Sequence, residues 1–91
     1  MKFKSFGPIR RALDSQVIYL DMPDGSVVRD AIARVVDLGG TDLEDIIMDG
    51  DRVSGNLIIM LNRKDVSTLN GEGTPLSEGD EIALLPHVQG G

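Results

Sequence analysis

From Met1 to Gly7 the chain alternates, with Phe3 and Ser5 on one side and Lys2, Lys4 and Phe6 on the other. A two-residue period predicts a strand, because successive side chains of extended backbone point to opposite faces. Gly7-Pro8 interrupts it. The run SQVIYLDM, rich in branched and aromatic residues, predicts a second strand. Together they form a hairpin from Met1 to about Met22, with PIRRALD in its connection. The period then changes. Val28, Ala31, Ile32, Val35 and Leu38 recur at the i, i+3, i+4, i+7 spacing, which aligns them as one stripe on a helix. Ser26 offers a side-chain oxygen to cap the helix, with Val27 as the alternative first non-helical position. Asp30 lies in the first turn, where the helix dipole favours an anion. Gly39-Gly40 supplies a left-handed exit.

Beyond the glycines, TDLEDIIMDGDRVSG is polar with an apolar centre and is read as a loop with one short helical turn. NLIIMLNRKDV reads as a strand, a tight turn and a short return strand. STLNGEGTPLSEGD is turn-rich, and EIALLPHV is the final strand. In that strand Ile82 and Leu84 share one face, and Ala83 and Leu85 share the other. The order is β-β-α-β-β-loop-β. One apolar helix stripe needs a sheet to cover it. The expected fold is therefore α+β: a β-grasp roll with one main helix across a mixed sheet of four to five strands.

The chain has 91 residues and no cysteine, which suits one domain and excludes disulfides and thiolate metal sites. No apolar run reaches the length of a membrane span, and MKFKSFGPIRRAL lacks the continuous apolar core of a signal peptide. A cytoplasmic location with no membrane partner is expected. The formal net charge of −6 argues against nucleic acid, whose phosphates call for basic groups. It suits a soluble surface and a partner with a basic face. Phe3, Phe6 and Tyr19 are the aromatic residues, so the core must be aliphatic. By alternation Phe6 and Leu85 project from the sheet face opposite the helix. Large apolar groups on that open face suggest a docking patch, which Met60 joins if its strand has the same phase.

The last stretch, LLPHVQGG, is the most unusual. Pro86 ends the strand because its ring removes the ladder N–H. The expected division is a domain over residues 1–86 and a tail over residues 87–91. Five extended residues span roughly 16 Å, enough to enter a cleft in another protein. Gly90 and Gly91 carry no Cβ and can thread a channel too narrow for side chains, with Val88 and Gln89 behind them. Other chemistry is thin. His87 is the single histidine, so neither a histidine metal cluster nor a Ser/His/Asp set can be assembled with support. Asp42, Glu44, Asp45, Asp49 and Asp51 suggest a calcium loop, but the closing glutamate of such loops is missing, and a solvated segment is the simpler account. GEG and GG lack the lysine of a phosphate-binding loop.

TPLSEGDEIALLPHVQGG resembles the C-terminal signature of the MoaD/ThiS sulfur carriers, ubiquitin-like β-grasp proteins that include the small archaeal modifiers. The matching positions are Leu76, Gly79, Asp80, Glu81 and Ile82, then Pro86, then Gly90-Gly91. DGSVVRDAI resembles the family's first helix, and LIIMLNRKDV its hairpin, with Asn62, Arg63 and Asp65 around the turn. Three departures stand out: His87 follows Pro86 where the family often has a second proline, Arg63 or Lys64 replaces the usual turn glycine, and Gln89 stands where many members carry a small residue. The resemblance implies that an E1-like enzyme, using ATP and magnesium, adenylates Gly91. A sulfur donor then converts the acyl adenylate to a thiocarboxylate. The resemblance further implies that the chain binds no cofactor and acts as a carrier and substrate, not an enzyme. Its acceptor would be the large subunit of a molybdopterin synthase or a similar enzyme. The alternatives are an isopeptide to target-protein lysines, as in the archaeal modifiers, or sulfur delivery for thiamine or cysteine synthesis. Family members use the open sheet face to meet both activating enzyme and acceptor, which supports the docking patch.

Overall fold

The computed structural model describes residues 1–86. Strand β1 (Lys2–Lys4) is followed by helix α1 (Gly7–Leu13), strand β2 (Val17–Tyr19) and helix α2 (Val28–Ile47). A small hairpin of β3 (Met48–Asp49) and β4 (Arg52–Val53) precedes β5 (Leu57–Leu61) and β6 (Lys64–Asp65). Two 3₁₀ turns, Val66–Thr68 and Gly71–Gly73, lead to the last strand, β7 (Glu81–Pro86). The main sheet has five strands in the order β2-β1-β7-β5-β6. Neighbours run antiparallel except β1 and β7, which are parallel and central. This is the expected mixed sheet and main helix of a β-grasp roll.

Alternation decides which face is covered. Phe3 pairs with Ile18 on one side and Ile82 on the other, and Ile82 in turn faces Leu61. Phe3, Ile82 and Leu84 are fully buried, as are Val28, Ala31 and Val35 of α2. The helix stripe therefore lies on this inner face. Leu38, expected in the stripe, is 62% exposed, and Val36 is buried in its stead. At 100° per residue Val36 and Leu38 flank the Val28–Ile32–Val35 direction on opposite edges of the stripe, and the core covers the Val36 edge at this level of the helix.

Four local features depart from the sequence expectations. The first connection holds a helix: Pro8 fits its first turn, where no N–H is needed, and buried Ile9 pins it against the core. At the start of α2 the Ser26 hydroxyl does not cap; it donates to the Pro23 carbonyl at 2.7 Å. Val27 is the boundary residue, and its N–H donates to the Asp30 carboxylate at 2.9 Å. At the other end the glycines do not finish the helix. Gly40 has φ 75° and ψ −161°, a single non-helical residue, after which helix resumes to Ile47. Gly39 is needed for space, because a Cβ there would overlap the buried Leu43 side chain. Leu43 and Ile47, one turn apart, bury this second segment. The stretch read as a loop is thus two turns of helix and a hairpin, whose Met48↔Val53 pairing closes over Gly50-Asp51.

The Leu76–Ile82 motif has a mechanical role. The Asp80 carboxylate accepts from Ser77 N–H at 2.7 Å and from Asn62 Nδ2 at 3.0 Å, while Asn62 Oδ1 accepts from Glu81 N–H at 3.0 Å. Gly79 has φ 87°, which a residue with a Cβ rarely adopts. The motif thus ties the start of β7 to the β5–β6 turn and fixes the register of the strand that carries the tail.

Candidate docking face and tail

Strand β7 sets the site by its phase. Ile82 and Leu84 point inward, so Ala83 and Leu85 point outward, as the alternation requires. Antiparallel pairing sets Met60 opposite Ala83 and Ile58 opposite Leu85. Parallel pairing sets Lys4 opposite Ala83, and two residues further on Phe6 emerges on the same face. Phe6, Met60, Ala83 and Leu85 line a groove of about 210 Å³, rimmed by Lys4, Arg63 and Glu81. The structure therefore brings together the three interface residues expected from the sequence. Phe6 is 37% exposed, while Met60 and Leu85 are half-buried.

The rim was not anticipated. Lys4 Nζ lies 3.4 Å from Glu81 Oε1. Both are partly exposed, so the pair adds little stability and forms a local, neutralised stretch of the rim. Arg63 stands at φ 70° and Asn62 at φ 51°, the geometry of a type I′ hairpin turn between Leu61 and Lys64. Arg63 is thus the residue at the position where the turn favours glycine. Asp65, paired with Met60, is held below its ordinary pKa of 3.8 by hydrogen bonds from the Ser67 backbone N–H and then its side chain. Ile58 and Arg63 could have been found by extending the face alternation across β5 and its turn; Lys4 already shares the outward phase of Phe6 on β1.

Gly91, Gly90, Gln89, Val88 and His87 lie outside the described residues. The strand that precedes them, β7, ends at Pro86, opposite Leu57. Among the described residues no group of three or more acidic or histidine side chains is arranged to hold a metal. Asp42, Glu44 and Asp45 sit on the second segment of α2, and Asp49 and Asp51 on the small hairpin. Among the described residues no helix is long and apolar enough to cross a membrane.

One helix layer against a five-stranded mixed sheet, with an outward apolar groove at the strand carrying the C-terminal residues, defines a ubiquitin-like β-grasp protein. The ThiS family model matches residues 6–91, and the chain belongs to that family of small ubiquitin-like carriers. A candidate sulfur carrier protein of Archaeoglobus fulgidus is 33% identical over 64 residues, 70% of this chain and 73% of that protein. Small archaeal modifier protein 3 of Haloferax volcanii is 24% identical over 91 residues, covering 100% of this chain and 98% of the relative. The crystal structure of small archaeal modifier protein 1 from the same organism superposes with a TM-score of 0.84 at 25% identity, covering 100% and 98% of the two chains.

Proposed function

We propose that the chain is a sulfur carrier whose Gly91 carboxylate is the working group. A carboxylate resists nucleophiles because its charge repels them and its oxygen leaves poorly. Attack of that carboxylate on the α-phosphate of ATP forms a mixed anhydride with AMP and releases pyrophosphate; AMP is then a good leaving group. In this reading an E1-like enzyme supplies the ATP and magnesium site, and the chain is its substrate. A sulfur donor displaces AMP and leaves a thiocarboxylate on Gly91. Held on a short arm, the sulfur is delivered without release into solution. The acceptor in this reading is a molybdopterin synthase large subunit.

The observation that carries the proposal is the alignment of two features on one strand. Leu85 lies in the outward groove and β7 ends one residue later at Pro86, so a partner seated on Phe6, Met60 and Leu85 would stand beside the point from which residues 87–91 continue. The family match running through residue 91 supports the same reading. A second reading shares the activation step: a target-protein lysine displaces AMP and forms an isopeptide. The relatives named as small archaeal modifiers favour it.

ATP–pyrophosphate exchange with the E1-like enzyme of the source organism tests the shared step. The wild-type chain should support exchange, deletion of Gly91 should abolish it, and Gly90→Val should impair it because a branched side chain obstructs a narrow channel. Undiminished exchange by the deletion variant refutes the assignment of Gly91.

A further inference from the structure

The net charge of −6 suggests a basic partner, but the docking face does not share the sign of the whole. The first thirteen residues carry Lys2, Lys4, Arg10 and Arg11 and no acidic side chain. The fold places Arg10 and Arg11 toward the Pro86 end of β7, while Lys2 lies opposite Glu81 at its start. β1 runs parallel to β7, so its end and the α1 that follows lie at the exit end of the last strand. Exposed Arg10 and Arg11 line an open hollow with Gly7, adjacent in the chain to Phe6 of the apolar groove. Arg63 stands at the opposite end of that groove, beside the start of β7. Among the described residues the ion pairs are Lys4–Glu81 and Arg29–Glu72, so none of these three guanidinium groups is paired. Asp14 shares the hollow with the arginines, and Asp65 near Met60 is engaged with Ser67. Counting Lys2, Lys4, Arg10, Arg11, Arg63 and Lys64 against Asp14, Asp65, Asp80 and Glu81, the excess on this side remains basic.

Most of the acidic groups lie elsewhere. Asp37, Asp42, Glu44, Asp45, Asp49 and Asp51 are exposed along α2 and the small hairpin, where they outnumber the exposed Arg29, Arg34 and Arg52. The molecule is therefore polarised, with an acidic back and guanidinium groups at both ends of the docking groove. Arg63 keeps its position at φ 70°, a backbone state that favours glycine.

We infer that the protein surface receiving the tail is acidic, with carboxylates that meet Arg10 and Arg11 beside the tail entrance and Arg63 at the far end of the groove. This deepens the proposed function and rests on its docking face. Guanidinium groups favour planar, bidentate carboxylates, and long-range attraction would orient the polarised carrier with its tail forward. An apolar groove between the charges favours a protein surface over a nucleic acid, whose backbone calls for a continuous basic track.

The test measures association with the E1-like enzyme by stopped flow at 50 and 500 mM NaCl. For the wild type, salt should slow association about tenfold, because the Debye length falls to a few ångströms. Arg10→Gln/Arg11→Gln and Arg63→Gln should each slow low-salt association about three- to tenfold and flatten the salt dependence, with unfolding midpoints near wild type. Phe6→Ala should instead speed dissociation at both salt concentrations. If the arginine variants associate like wild type while Gly91-dependent exchange and the Phe6 effect persist, the charge inference fails and the docking face stands. If Phe6→Ala and Leu85→Ala leave binding unchanged, the docking face itself fails, and the inference with it. Arginine-dependent binding of a single-stranded RNA oligonucleotide, without an effect on enzyme association, would overturn it in favour of nucleic acid.

Discussion

Phe3 and Phe6 are three residues apart and should respond in opposite ways to truncation. Phe3 is 0% exposed and lies between Ile18 and Ile82 in the middle of the sheet. Phe3→Ala removes a ring the surroundings cannot collapse to fill, a loss of about 3–5 kcal/mol. A domain of this size has about 5–14 kcal/mol in total, so the variant is near its limit of folding. Phe6 is 37% exposed on the groove. Full burial of such a side chain contributes about 1.5–3 kcal/mol, and the covered fraction gives about 1–2 kcal/mol, with no cavity term because water fills the space. Urea titration of both variants, with Phe3→Leu as a milder core change, measures the difference as a shift in midpoint at constant slope. Binding to the E1-like enzyme gives the complementary number: Phe6→Ala should weaken it by about 1–2 kcal/mol if Phe6 is an anchor. Equal loss of stability at Phe3 and Phe6, with unchanged binding at Phe6, would make Phe6 a core residue and remove it from the docking face.

Gly40→Ala should lower stability by about 1–3 kcal/mol from backbone strain alone, since no atom stands within 4 Å of an added Cβ; a thermal melt matching wild type would contradict the kink. Asp80→Ala removes the acceptor shared by Ser77 and Asn62, and should cost about 1–2 kcal/mol and raise amide exchange at the start of β7. Unchanged exchange at Glu81 and Ile82 would show that the Leu76–Ile82 motif does not fix the strand.

Much of this architecture was legible because its signals are periodic. Phe3 against Phe6 and Leu84 against Leu85 follow from alternation alone, and so do the covered and open faces. What was missed is short. Helix α1 has seven residues, too few to be stable by propensity, and it is helical because Ile9 is buried in the core. The second half of α2 was concealed by Gly39-Gly40, which resembles a stop; the i, i+4 pair Leu43 and Ile47 was the available sign that helix resumes. The strands of the small hairpin are two residues each, below any detectable period, although Gly50-Asp51 is a recognisable turn pair. The polarity of the docking face was hidden by net charge, which sums over a surface whose two sides differ. The tail was legible in the sequence as chemistry, and its residues lie outside the described structure.

The central claim is that sulfur is carried on Gly91, and the intact mass of the chain tests it most directly. After incubation with the E1-like enzyme, magnesium ATP and a sulfur donor, the mass should increase by the difference between one sulfur and one oxygen. Fragmentation should place that increase on Gly91, and deletion of Gly91 should eliminate it. A chain that is adenylated yet never gains sulfur, and is recovered joined through Gly91 to lysines of other proteins, would contradict the carrier account and establish the modifier reading. A chain that acquires neither AMP nor sulfur at Gly91 would contradict both.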